Sequence, residues 1–237
     1  MMTIYPPWLC NGPAYVQPEN SKVTPDLATA NRRISEFFSD DSGLYQQHLI
    51  IGLIQILSKL GPTRIFGGML RDFALGGASR FLLNKGDVDI VVDAPWQRVK
   101  RKLDSICRTD AQVKHPYKIN NKNGYKLRIG SWLFDVWTVD TTYAIKKGFV
   151  KKNSIESLLK TTFFDWDAWL YDPQLDTLIT NEGVIETMNK GVVSINLQPN
   201  PDPINVVRRA LKLQQEFRLS GPLKQYVKNE LSFYVAS

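Results

Sequence analysis

Apolar residues at helical spacing open and close this chain, and between them the pattern changes to short apolar stretches of strand length. A start rich in Pro and Asn reads as an irregular arm. The stretch TPDLATANRRISEFFSD then carries Thr24 as an N-cap candidate, Pro25 at the first helical position and an apolar stripe of Leu27, Ile34 and Phe37 or Phe38. A second helix runs through YQQHLIIGLIQILSKL and stops at Gly61-Pro62. TRIF at 63–66 reads as a short strand, Gly67-Gly68 as a tight turn and GMLRDFALG as a short helix. DVDIVV is a strand and WQRVKRKLDSIC a basic helix, and HPYKINNKNGYKLRIGSWLFDVWTV reads as strands around an Asn123-Gly124 turn. TTFFDWDAWLYDP alternates as a further strand. Beyond Pro173 the pattern turns helical: DPINVVRRALKLQQEFRL has Asp202 as N-cap and ends before Gly221-Pro222, and PLKQYVKNELSFYVA closes the chain.

This order describes an α+β protein: an arm and helices over 1–62, a mixed domain over 63–180 and a helical segment over 181–237. At 237 residues with 43% hydrophobic content it can bury a sizeable core. Thirty Lys and Arg against 23 Asp and Glu give a net charge of +7. That balance favours polyanionic partners such as RNA, DNA or nucleotides, and equally fits an ordinary basic protein. The two cysteines, Cys10 and Cys107, have neither disulfide-framework nor zinc spacing, which fits a reducing compartment. No signal-peptide pattern opens the sequence, and the apolar run at 49–57 is too short to span a bilayer, so a cytoplasmic protein without a membrane anchor is expected.

The chemistry sits in FGGMLRDFALGGASRFLLNKGDVDIVV. Strands disfavour aspartate, yet Asp87 and Asp89 open an apolar one, and at spacing i, i+2 their carboxylates share a face. Two like charges so placed are relieved by a divalent cation, and hard oxygen donors suit Mg²⁺ or Mn²⁺. Asp135, an isolated acid in the apolar stretch SWLFDVWTVD, is the candidate for a third ligand, completing a site for two ions about 3.5–4 Å apart. The bland reading of Asp-x-Asp is a solvent-facing pair at a strand entry. Gly67-Gly68 counts against it, because a glycine turn before a helix lets backbone approach a phosphate, and Arg71 adds a forked donor. Lys118, Lys122, Lys126 and Arg128 surround the Asn123-Gly124 turn with Tyr117 and Tyr125 interleaved, a pattern that suits contact with an RNA backbone and base stacking as well as a merely solvated face.

GGMLRD followed by GDVDIVV resembles the signature of the polymerase-beta-type nucleotidyltransferases, specifically the head of the bacterial CCA-adding enzyme and poly(A) polymerase family. FDVWTV resembles the strand carrying the family's third acidic residue, TTFFDWDAWLYDP its RRDFTINALAYDP segment, and DPINVVRRALKL the start of its helical neck. The resemblance implies a five-stranded mixed sheet with helices and a C-terminal helical neck. It also implies Mg²⁺ on Asp87 and Asp89, and transfer of a nucleoside monophosphate from an NTP, ATP or CTP, to the 3′ hydroxyl of a tRNA or tRNA-like RNA. Gly67, Gly68 and Arg71 would handle the triphosphate, with Asp72 supporting the turn; Arg209 and Lys212 fall on the neck arginines after a one-residue slip. Asp165 and Asp167 form a second same-face pair, placed to extend the acidic site, to bind a ribose hydroxyl or simply to face solvent. The chain departs from the family in having Thr161, Thr162 and Phe163 for Arg-Arg-Asp, and no counterpart of the body and tail. A compact relative is therefore expected, acting alone, with a protein partner or as a homo-oligomer. The alternatives are a degenerate head that binds nucleotide, RNA or a partner without turnover, and transfer to a non-RNA acceptor.

Overall fold

The computed structural model describes residues 26–84, 86–109, 113–119 and 124–236. Helix α1 (Leu27–Ser39) buries Ala30, Ile34 and Phe37. Its cap is Asp26, whose carboxylate accepts from Thr29 N at 2.8 Å, rather than Thr24, which lies outside the described residues. Helix α2 (His48–Ser58) is followed by β1 (Thr63–Phe66). The helix read over GMLRDFALG forms and then continues beyond Gly77, whose φ of 70° breaks the helical run, to give α3 (Gly68–Asn84). Next come β2 (Val88–Val92), α4 (Trp96–Thr109), β3 (Val113–Ile119), β4 (Tyr125–Ile129) and β5 (Trp132–Thr138).

Two strands in the second half of the chain, β6 (Trp169–Asp172) and β7 (Thr177–Thr180), join the same sheet in the order β3-β4-β5-β2-β1-β6-β7. The sheet thus has seven strands rather than five, because the β6–β7 hairpin pairs antiparallel along the free edge of β1. It is mixed: β2 and β5 run parallel, and the remaining neighbours are antiparallel. β2 lies between β1 and β5, and Val88, Ile90, Val91 and Val92 are fully buried. α2 lies on β1 and β2, α4 on β5 and β3, and α1 packs on α3. An aromatic seam joins them, with Phe37 edge-on to Phe73 and Phe81 stacked on Trp132.

The alternating stretch at 161–173 is a strand only over Trp169–Asp172; Asp165–Asp167 form a turn of 3₁₀-helix. Nor is the chain purely helical beyond Pro173. Besides β7 it forms α6 (Val184–Asn189), β8 (Val192–Val193), α7 (Pro203–Gln214), β9 (Arg218–Leu219) and α8 (Gly221–Ala236); a single-turn helix, α5 (Tyr143–Lys146), precedes them. Asp202 caps α7 as read, accepting from Asn205 N at 3.1 Å, but the helix stops at Gln214 because Arg218 and Leu219 pair with β8. Among the described residues no helix is long and apolar enough to cross a membrane.

Candidate active site

Sheet register builds the site. β2 and β5 are paired so that Asp89 lies beside Asp135, and the i, i+2 rule puts Asp87 on the same face. One carboxylate oxygen from each of Asp87, Asp89 and Asp135 lies within 4.8 Å of the others. Among the described residues no other three His, Cys, Asp or Glu side chains converge in this way. Burial and the charges of Asp87 and Asp135 push the Asp89 carboxyl well above its ordinary value, with Lys126 and Arg209 pulling the other way. Three clustered hard oxygen donors, at least one of them resisting ionisation, fit a divalent cation of the Mg²⁺ or Mn²⁺ kind.

Lys126 stands directly across β4–β5 from Asp135. Its ammonium lies 3.2 Å from Asp87 Oδ2 and 3.3 Å from Asp135 Oδ2, so this lysine of the hairpin is turned into the acidic cluster rather than outward. Arg128 is on the same face and donates to Ser131 O at 3.4 Å. Tyr125 is buried, its hydroxyl 3.2 Å from Asp104, which corrects the idea that it stacks a base. Lys122 and the side chains of Lys118 and Tyr117 lie outside the described residues.

The glycine turn sits at the edge of this cluster. Phe66, the last residue of β1, pairs with Asp89, and Gly67 has φ +80°, where a Cβ would lie only 3.5 Å from Asp89 Oδ2. The Gly67 N–H is taken by Trp169 O at 3.0 Å, so the first-turn N–H groups of α3 begin with Gly68. Arg71 is engaged within the protein: it meets Asp72 Oδ1 at 3.0 Å and Asp167 Oδ1 at 2.5 Å. Asp72 is buried and also lies 3.8 Å from Arg80.

Asp165 and Asp167 are not a same-face strand pair. The 3₁₀ turn sends them apart, because each side chain has its own tertiary partners. Asp165 accepts from Trp166 N, Ser194 N and Thr187 Oγ1, and burial pushes its carboxyl up to about 6. Asp167, 9% exposed, takes Arg71 on one oxygen and Arg209 Nη2 on the other at 2.5 Å. Burial alone would raise its carboxyl, and Arg209 and Arg71 outweigh that and hold it below the ordinary value. Asp167 therefore neither extends the acidic face nor points to solvent; it ties α3 to α7. Lys212 follows Arg209 one turn along α7 and is exposed. The departure at 161–163 has a packing explanation: Thr162 is bonded by Asn196 Nδ2, and Phe163 packs against Tyr226 of α8.

Lys126 and the Arg71–Asp167–Arg209 bridge were not assigned these places by the sequence. For Lys126 the signal was present, since a β4–β5 hairpin pairs it with Asp135 once the turn length is known.

No protein-family model matches the chain, and no curated protein matches it. Solved structures do. A CCA-adding enzyme in complex with CTP superposes with a TM-score of 0.56 at 19% identity, covering 89% of this chain and 47% of that one. The Thermotoga maritima CCA-adding enzyme complexed with tRNA gives 0.55 at 19% identity, covering 86% and 44%. A CCA-adding enzyme with ATP gives 0.54 at 21%, covering 80% and 45%. The chain spans about half the length of these structures and has their fold.

Proposed function

We propose that this chain is a metal-dependent nucleotidyltransferase that moves a nucleoside monophosphate from an NTP, ATP or CTP, to the 3′ end of a tRNA or tRNA-like RNA. The observation that carries the reading is the convergence of Asp87, Asp89 and Asp135 beside the Gly67-Gly68 turn at the start of α3. The fold it shares with CCA-adding enzymes solved with CTP, ATP and tRNA supports the same chemistry. In the reaction the RNA 3′ oxygen bonds to the α-phosphorus, the α–β bridging P–O bond breaks, and pyrophosphate leaves.

Asp87, Asp89 and Asp135 would hold Mg²⁺ or Mn²⁺; a bound cation neutralises phosphate charge and acidifies the attacking hydroxyl. Gly67 keeps a side chain away from Asp89 and Gly68 keeps one away from the Arg71 guanidinium, so that a triphosphate can reach the first-turn N–H groups of α3. Arg71 is positioned by Asp72 and Asp167 and Arg209 by Asp167, with the Arg209 charge felt at Asp89, so both guanidiniums would offer positive charge to an entering triphosphate. Lys212 extends that rim along α7.

The test is incubation of the purified protein with total RNA, Mg²⁺ and each labelled NTP in turn, beside an Asp87→Ala/Asp89→Ala variant. Label in a discrete RNA band that the variant does not produce is expected, and it names nucleotide and acceptor together. Label in protein or a small molecule transfers the reading to another acceptor. No label with any NTP, in a protein that still binds NTP without metal, replaces the enzyme by a nucleotide-binding module.

A further inference from the structure

Lys126, Asp135 and Asp89 form a row across three neighbouring strands: Lys126 pairs with Asp135 across β4–β5, and Asp135 with Asp89 across β5–β2. Directly opposed residues of one face have Cβ atoms about 4.5–5.5 Å apart, so backbone register brings the lysine within reach of the acids. Its ammonium completes the contact at hydrogen-bond distance from Asp87 Oδ2 and Asp135 Oδ2. The side chain is 34% exposed, so the flexible stem has solvent beside it into which it can swing.

Divalent ions of this class bind carboxylate oxygens at about 2.0–2.2 Å. An ion shared by Asp87 and Asp135 would lie between the two oxygens that the ammonium now contacts, close to a like charge. The two cations exclude each other. Building on the nucleotidyltransferase reading, we propose that Lys126 is a placeholder cation: it offsets part of the charge of the acidic cluster before metal arrives, lowers the affinity of the empty site for free metal, and leaves the cluster when metal loads. The lysine is thereby a positioning residue of the site. It keeps Asp87 and Asp135 drawn together on the face where an ion is received, and once released its ammonium lies next to the phosphate entry.

Two measurements without nucleotide test this. The first is Mn²⁺ binding, followed by electron paramagnetic resonance, to the wild-type protein, Lys126→Gln and Asp87→Asn/Asp89→Asn. Removing a charge in contact with two ligand carboxylates, screened by partial exposure, should tighten Mn²⁺ binding by about tenfold in Lys126→Gln. The aspartate variant should not bind. Equal or weaker binding in Lys126→Gln overturns the placeholder while leaving the metal site standing. No Mn²⁺ binding by either wild type or Lys126→Gln removes the metal site and the placeholder with it. The second measurement needs no variant: acetylation of individual lysines by an N-hydroxysuccinimide ester, read by mass spectrometry with and without Mn²⁺. Metal should free the Lys126 amine and raise its labelling rate severalfold, with Lys100 and Lys190, which are paired with Asp104 and Glu186 on their own helices, as unchanged references. A Lys126 rate indifferent to saturating Mn²⁺ overturns the proposal.

Discussion

Replacing Asp167 by Ala probes how the C-terminal helices are held to the sheet. The carboxylate is 9% exposed and gives one oxygen to Arg71 and the other to Arg209. Its removal leaves Arg71, 14% exposed, with Asp72 as its carboxylate partner, and Arg209, 44% exposed, free to turn to water. Deleting one member of a buried ion pair costs about 3–5 kcal/mol, because the other charge is stranded. Here Asp72 compensates Arg71 in part and solvent receives Arg209, so the lower end, about 3 kcal/mol, is expected. For a chain of this size that lowers the melting temperature by roughly 6–12 °C. Arg209→Met should cost only about 1 kcal/mol, since Asp167 keeps Arg71. In the double variant the two losses should overlap rather than add, because the interaction removed is shared. Urea unfolding followed by far-UV circular dichroism gives all three values. A cost for Asp167→Ala below about 1 kcal/mol, or one equal to that of Arg209→Met, would refute the account of Asp167 as the tie between α3 and α7.

Gly67→Ala forces a side chain onto φ +80° and adds a methyl 3.5 Å from Asp89 Oδ2. It should cost about 1–2 kcal/mol of stability and weaken NTP binding in calorimetry, whereas Gly68→Ala, which has no positive φ, should lack the strain. Asp165 carries a pH signature. Its folded-state pKa of about 6 lies above the ordinary 3.8, so the folded chain binds the proton more tightly. The resulting stability is fully present below about pH 4 and lost as pH rises through about 6. Compared with Asp165→Asn, which cannot titrate, the wild type should lose up to about 3 kcal/mol between pH 4 and 7 in paired denaturation curves; a constant difference would show that burial does not dominate at this carboxyl.

Asp-x-Asp occurs twice in this chain, as DVD at 87–89 and DWD at 165–167, and local pattern treats the two alike. The first was legible because its consequences are local: period two puts Asp87, at the entry of β2, on the same face as Asp89 within it, and an apolar strand with an isolated acid, β5, supplies the third. The glycine turn and the helix after it were legible for the same reason, being set by residues adjacent in sequence. The second pair was not, since its alternation is overridden by partners about 30 to 100 residues away: Ser194 N–H on Asp165, and the Arg71 and Arg209 guanidiniums on Asp167. Those bonds satisfy buried acids that a strand at this place would have left facing each other. What separates the two motifs is their counter-charge. At 87–89 and Asp135 three carboxylates share one lysine ammonium, leaving excess negative charge that a divalent cation can neutralise. At Asp167 one carboxylate meets two guanidiniums, one of them shared with Asp72, so the acid is already compensated within the protein and suited to holding helices together. Acid spacing can be read along the chain, but its meaning depends on which bases the fold brings to it, and here those bases arrive from β4, α3 and α7.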